Sequence, residues 1–243
     1  MTTLTLRGKY QHKLPSQALT PIQNSYRPDI NTASDLNSVD SAYYQSLIGI
    51  LSWMVELSRV DIFLKVSMLS SHLALPREEQ LQQLIHMFAY LKRNHNSEMI
   101  FDPSDPIIDE SLFDREDWTA SEFGLSLEEV LPKNMPQTCG MGFVMRSYVD
   151  ADHAGDSITR RFRTGFLVYL NCAPVYWMSK KQTSVDTSSF VSEFIVVKHC
   201  TEYICGLRCK FFMMEIPCTS PAFIFGDNQS FLANTTIPDS TLT

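Results

Sequence analysis

Three carboxylates, Asp150, Glu193 and Asp227, stand in contexts from which a fold could gather them into one site. Asp150 closes the apolar run Gly142 to Val149 (GFVMRSYV), rich in aromatic and β-branched residues, and opens a turn of small and acidic residues, Ala151-Asp152-His153-Ala154-Gly155-Asp156. Glu193 lies early in a helical run, and Asp227 follows a second apolar strand, Ala222 to Phe225, in the phrase Gly226-Asp227-Asn228-Gln229-Ser230. Taken singly, each has an ordinary explanation: Asp forms turns at strand ends, and Glu on a helix usually faces solvent. Taken in order, strand, helix and strand describe a unit with a right-handed crossover and adjacent strands, in which the acids converge. Hard divalent cations take oxygen ligands of this kind, so the pattern predicts a shared cation site.

The elements that must hold these residues are readable as well. Thr164 to Leu170 (TGFLVYL) and Ala173 to Trp177 (APVYW) repeat the strand composition, with turn residues between them. Ser188 or Thr187 can cap a long helix whose Phe190, Phe194, Val197, Thr201, Ile204, Arg208 and Phe211 mark successive turns, with Glu193 at the edge of that stripe. On the same helix His199, Cys200, Cys205 and Cys209 lack the tight two-residue gaps of a zinc site, and the cysteines are expected to be core thiols. His153 and Trp177 are read as packing residues. No nucleophile elbow, phosphate-cradling glycine loop or dinucleotide fingerprint occurs, and nine glycines leave little room for one.

Upstream, residues 1–37 are polar, carry Pro15, Pro21 and Pro28, and show no sustained period, which predicts an extended arm or linker. Asp40 is the expected N-cap of a helix over Tyr43 to Leu57, with Tyr44, Leu47, Ile48, Leu51 and Val55 on one face. Asp61 is expected to cap a second helix running to His72, and Pro76 to open a third that ends at Arg93 and buries Leu81, Leu84, Ile85, Phe88 and Leu91. A small helical bundle over 38–95 follows. Residues 96–141 combine Pro103, Pro106, Pro132 and Pro136 with ten acidic residues between Asp102 and Glu129, and read as an acidic spacer before a sheet domain over 142–243. The fold class is thus α+β: a helical bundle followed by a mixed β-sheet with helices.

A chain of 243 residues with 44% hydrophobic and 19% charged residues can bury one large core or two modest ones. Six cysteines without paired spacing, and no signal-like N-terminus, point to free thiols in a reducing compartment. Apolar stretches broken by Gly49, Glu56, Arg59 and Asp61 exclude a membrane span of about 18–20 residues. A net charge of −7 argues against general nucleic-acid affinity, but the balance reverses around the acidic triad, where Arg160, Arg161, Arg163, Lys180, Lys181 and Lys198 gather.

The run from Tyr148 to Asn234 resembles the ribonuclease H region of copia-type retrotransposon polyproteins. The resemblance is carried by four ordered motifs: Tyr148-Val149-Asp150-Ala151-Asp152, Trp177-Met178-Ser179-Lys180-Lys181-Gln182, Ser188-Ser189-Phe190-Val191-Ser192-Glu193 and Asp227-Asn228-Gln229-Ser230. Tyr44-Gln45-Ser46-Leu47-Ile48-Gly49, Arg59-Val60-Asp61-Ile62 and the helix ending Tyr90-Leu91-Lys92-Arg93 resemble the thumb and connection that follow the reverse transcriptase palm in the same polyproteins. The paired palm aspartates do not occur, so polymerase chemistry is not expected of this chain.

The resemblance implies a ribonuclease H-like sheet and hydrolysis of RNA in an RNA–DNA hybrid by two divalent ions. Mg²⁺ is the expected cofactor, with Mn²⁺ as its substitute, held by Asp150, Glu193 and Asp227. Arg160, Arg161, Lys180 and Lys181 are the expected phosphate contacts. It further implies the hybrid and the remainder of the polyprotein as partners, and a cytoplasmic setting within virus-like particles. Because the family's sequences continue with a further strand, a final helix and a fourth acid, the domain is expected to be C-terminally truncated and weakly active. The competing expectation is a non-catalytic retrotransposon remnant that serves as a structural or interaction module.

Overall fold

The computed structural model describes residues 18–109, 111, 113, 132–152, 161–182 and 188–236. These form two compact units, one from residues within 1–99 and one from residues within 100–243. No helix among the described residues is long and apolar enough to cross a membrane.

The first unit is helical: α1 (Ser38–Glu56), a 3₁₀ turn (Val60–Ile62), α2 (Phe63–Ser70) and α3 (Glu78–Arg93). Tyr44, Leu47, Ile48, Leu51 and Val55 of α1 are buried as their spacing requires, together with Ile62, Val66, Leu69 and the α3 residues Leu81, Leu84, Ile85 and Leu91. The Tyr44 hydroxyl, also buried, donates to the Leu69 carbonyl at 2.8 Å. The caps differ from expectation. Asn37, whose Oδ1 accepts from the Val39 and Asp40 amides, starts α1, and Asp40 sits in its first turn. Asp61 caps nothing; its carboxylate is held by Arg59 at 2.7 Å, and α2 starts two residues later.

Residues 18–36, within the stretch read as a linker, lie against α3. The Gln23 amide donates to Gln83 Oε1 at 3.0 Å, His86 Nε2 lies 3.1 Å from the Thr20 carbonyl, and the Leu36 and Glu78 amides donate to the Pro76 and Ser34 carbonyls. Ala18, Ile22 and Tyr26 are buried, and so are Gln80, Gln83 and His86 on what would otherwise be the polar side of α3.

The second unit holds β1 (Met145–Asp152), β2 (Arg163–Leu170), β3 (Ala173–Lys181), α4 (Ser189–Met213), β4 (Phe223–Phe225) and α5 (Gln229–Thr236). The strand order is β3-β2-β1-β4, antiparallel except that β4 runs parallel to β1 across the α4 crossover. Met145, Val149, Ala151, Phe166 and Val168 from one face of the sheet meet Val196, Cys200, Ile204 and Phe211 of α4 to form the core. The opposite face carries an aromatic row in which Tyr148 stacks on Phe225 with centroids 5.1 Å apart. Parts of the expected spacer belong to this unit: Asn171 Nδ2 donates to the Pro103 carbonyl, the Cys172 amide donates to the Ser104 carbonyl, and the Phe113 ring lies 5.3 Å from the Phe223 ring.

Two strands extend beyond the apolar runs that mark them. β1 runs past Val149 to Asp152, and β3 past Trp177 to Lys181, because alternation continues through polar residues when only one face is covered. On α4 the buried positions are Ser192, Glu193, Val196, Cys200, Ile204 and Phe211, rather than the Phe190–Phe194 line. Those two phenylalanines lie against Phe231 of α5 instead, with centroids 5.9 and 6.5 Å away.

Candidate metal centre

β1 delivers Asp150 near its end, where the register sets it opposite Gly165 of β2. β4 pairs with β1 only as far as Phe225 opposite Tyr148, so the chain leaving β4 turns past the final residues of β1. Gly226 makes this turn beside Val149, whose Cγ2 would lie 3.4 Å from a Cβ there, and Asp227 follows directly. Glu193 comes from the first turns of α4, which Ser188 starts by accepting from the Val191 amide at 3.3 Å. One ligand oxygen from each of Asp150, Glu193 and Asp227 lies within 4.8 Å of the others, and no second cluster of this size and kind occurs among the described residues.

The three acids are not equivalent. Asp150 and Asp227 are exposed, whereas Glu193 is 5% exposed. Its pKa is pushed up to about 7, chiefly by burial and further by the negative charges of Asp150 and Asp227; the Ala151 amide, which donates to its carboxylate, works against them. That hydrogen bond fixes the carboxylate against β1. It could not be read from the sequence, since a backbone amide leaves no motif.

Three clustered oxygen donors of net negative charge, one of them buried and destabilised as an anion, match the requirements of a hard divalent cation. Soft-metal chemistry finds less support on α4. Cys200 is buried, its thiol donates to Ser147 Oγ at 3.1 Å, and burial pushes its pKa up, as befits an inert core thiol. Cys205 and Cys209 are exposed, contrary to the expectation of core thiols, because they lie on the side of α4 away from the sheet.

The basic residues are distributed along one end of the sheet. Register pairs Ala151 with Thr164 and Thr164 with Lys180, then Asp152 with Arg163 and Arg163 with Lys181. Lys180 is exposed, Lys181 half-buried, and Arg161 exposed just before β2. Neighbouring strands are about 4.8 Å apart, so Lys180 is on the order of 10 Å across the sheet from the end of β1. Arg160 and His153 lie outside the described residues. Trp177, expected in the core, is half-buried on β3.

Over most of its length the chain is similar to retrovirus-related Pol polyproteins. It is 27% identical over 212 residues to that of transposon RE1 from Arabidopsis thaliana, 24% over 229 residues to that of RE2 from the same plant, and 23% over 200 residues to that of TNT 1-94 from Nicotiana tabacum. These alignments cover 86%, 93% and 82% of the chain but only 12%, 13% and 12% of the relatives. No family model and no solved structure matches the chain. The chain is thus a relative of the copia-type retrotransposon Pol polyproteins, corresponding to one short segment of their length.

Proposed function

We propose that the acidic cluster is the centre of a ribonuclease H-type nuclease that hydrolyses the RNA strand of an RNA–DNA hybrid. The observation that carries this reading is the convergence of Asp150, Glu193 and Asp227 within 4.8 Å from a strand, the crossover helix and a parallel strand. The mixed order β3-β2-β1-β4, with an antiparallel three-strand meander and one parallel addition, agrees with a ribonuclease H-like sheet. Similarity to retrovirus-related Pol polyproteins supports this reading.

Asp150, Glu193 and Asp227 would hold Mg²⁺, or Mn²⁺ in its place. A divalent cation so held lowers the pKa of an attacking water and stabilises the departing oxygen of the phosphodiester. The protein's own part is positional and electrostatic. The Ala151 amide orients Glu193, and burial raises the pKa of this carboxylate to about 7, so a divalent cation held there would compete with a proton. Asp150 and Asp227, being exposed, keep the cluster open to a bulky substrate. Lys180, Lys181, Arg160 and Arg161 would contact phosphates, offsetting a net charge of −7 that otherwise repels a polyanion. The 2′-hydroxyl and groove shape would mark the RNA strand.

In the same reading the helical residues 38–95 are a thumb- and connection-like unit, 142–243 the nuclease domain, and the remainder of a Pol polyprotein the covalent neighbour. The test is substrate discrimination with a labelled RNA strand presented single-stranded, in an RNA duplex and in an RNA–DNA hybrid, with Mg²⁺ and with EDTA. Cleavage confined to the hybrid and abolished by EDTA is expected. Equal cleavage of all three, or none of any, would leave the cluster to a non-catalytic role.

A further inference from the structure

On the face of the sheet that carries α4, a cavity of about 440 Å³ opens beside β2 and β3. Its floor is Thr164, Phe166, Tyr176 and Met178, side chains that cross-strand register places on one face. Its wall is the α4 stripe Ile195, His199 and Tyr203, spaced one turn apart. Lys180, Lys181 and Gln182 close the end nearest the acidic cluster. The cavity is distinct from that cluster and separated from it by the width of one strand, since Thr164 pairs with Ala151.

Three features define what would fit. Tyr176 and Tyr203 stack with centroids 3.9 Å apart, and the Phe166 ring lies tilted to both at 5.7 and 6.1 Å, giving an aromatic surface for a flat ring. Gln182 is 8% exposed; its Nε2 donates to Thr164 Oγ1 at 2.8 Å, while its buried Oε1 has no hydrogen-bond partner among the described residues. A buried acceptor left unpaired is costly, and turning the Gln182 amide toward the cavity would let a ligand N–H satisfy it. At the rim Lys180 offers an exposed ammonium to an anion. The volume lies within the usual range for small-ligand sites, about 300–1,000 Å³.

We propose that this cavity binds a single nucleotide unit, its base against the Tyr176–Tyr203 pair, its amino group on Gln182 Oε1 and its phosphate at Lys180. The inference goes beyond the nuclease reading: it needs no cation and no cleavage, and the nucleotide can come either free or as an unpaired residue of a strand. Equilibrium dialysis of AMP against the full chain in EDTA tests it, with purine riboside 5′-monophosphate, which lacks the amino donor, in parallel. AMP should bind saturably, the analogue about tenfold or more weakly, and Lys180→Ala should weaken AMP several-fold without lowering the melting temperature. Photo-crosslinking with 8-azido-AMP should label the peptides carrying Tyr176 or Tyr203. A short single-stranded oligonucleotide that displaces AMP identifies a strand as the source, and failure to displace it identifies the free nucleotide. No saturable binding of AMP or oligonucleotide, equal affinity for AMP and the analogue, or crosslinks confined to other peptides would each overturn the proposal. Because cleavage is not the readout, these outcomes are independent of whether the acidic cluster is a nuclease.

Discussion

At the scale of single residues, Glu193 governs the behaviour of the site. Its pKa is raised from 4.5 to about 7 in the folded protein, so the native state binds more protons than the unfolded chain between these limits. Stability of the metal-free protein is therefore fully present below about pH 4.5 and falls as the pH rises toward and through 7; the total loss is on the order of 3 kcal/mol at most. Glu193→Gln removes this charge, and urea titrations in EDTA should find the variant more stable than the parent at pH 8 and nearly equal to it at pH 4. Equal stability differences at the two pH values would show that Glu193 is ionised without strain. On the proposed reading Mg²⁺ would displace the same proton, so its stabilising effect in a thermal melt should be larger at pH 8 than at pH 5.5. The sequence made Asp150 and Asp227 visible, since each follows an apolar run and precedes small or polar residues. It did not make the burial of Glu193 visible: Phe190 and Phe194 drew the apolar line to a neighbouring face of α4, although they serve α5 rather than the sheet core.

At the scale of elements, the strand periodicities and the Ser188 cap located the sheet and the helix that bring the acids together. Less of the helical unit's outer layer was legible. Gln80, Gln83 and His86 form a polar face by composition, yet all three are buried, and residues 18–36, which carry no periodic signal, bond Gln83 and His86. Likewise Asn37 and Asp40 are both good caps, and the choice between them depends on where the chain before α1 comes from. Asn37→Ala should cost about 1 kcal/mol in denaturant unfolding, and Asp40→Ala less. In the sheet unit, Gly142 passes Pro217 so closely that a Cβ would stand 2.2 Å from the Pro217 carbonyl oxygen. Gly142→Ala should thus destabilise by about 1–3 kcal/mol, since backbone must move to admit it; an unchanged unfolding midpoint would contradict that contact.

At the scale of the whole molecule, each unit has a core of its own, with Leu51 at 0% exposure in one and Val196 at 0% in the other. Leu51→Ala should cost about 2–5 kcal/mol in the helical unit, while hydrogen exchange in β1 and β2 stays at the parent's level. The likeness to Pol polyproteins spans both units, since the alignments cover 86% and 93% of the chain. What sets this chain apart as a candidate enzyme is still the cluster of three acids. The most direct test is single-turnover cleavage of an RNA–DNA hybrid in Mg²⁺ by the parent chain and by Asp150→Asn, a change that keeps the side chain's size and removes one charged ligand. Cleavage by the parent that falls at least about a hundredfold in the variant, with the melting temperature in EDTA unchanged, is the predicted result. Equal cleavage by both proteins, or none by a folded parent at saturating Mg²⁺, would contradict it.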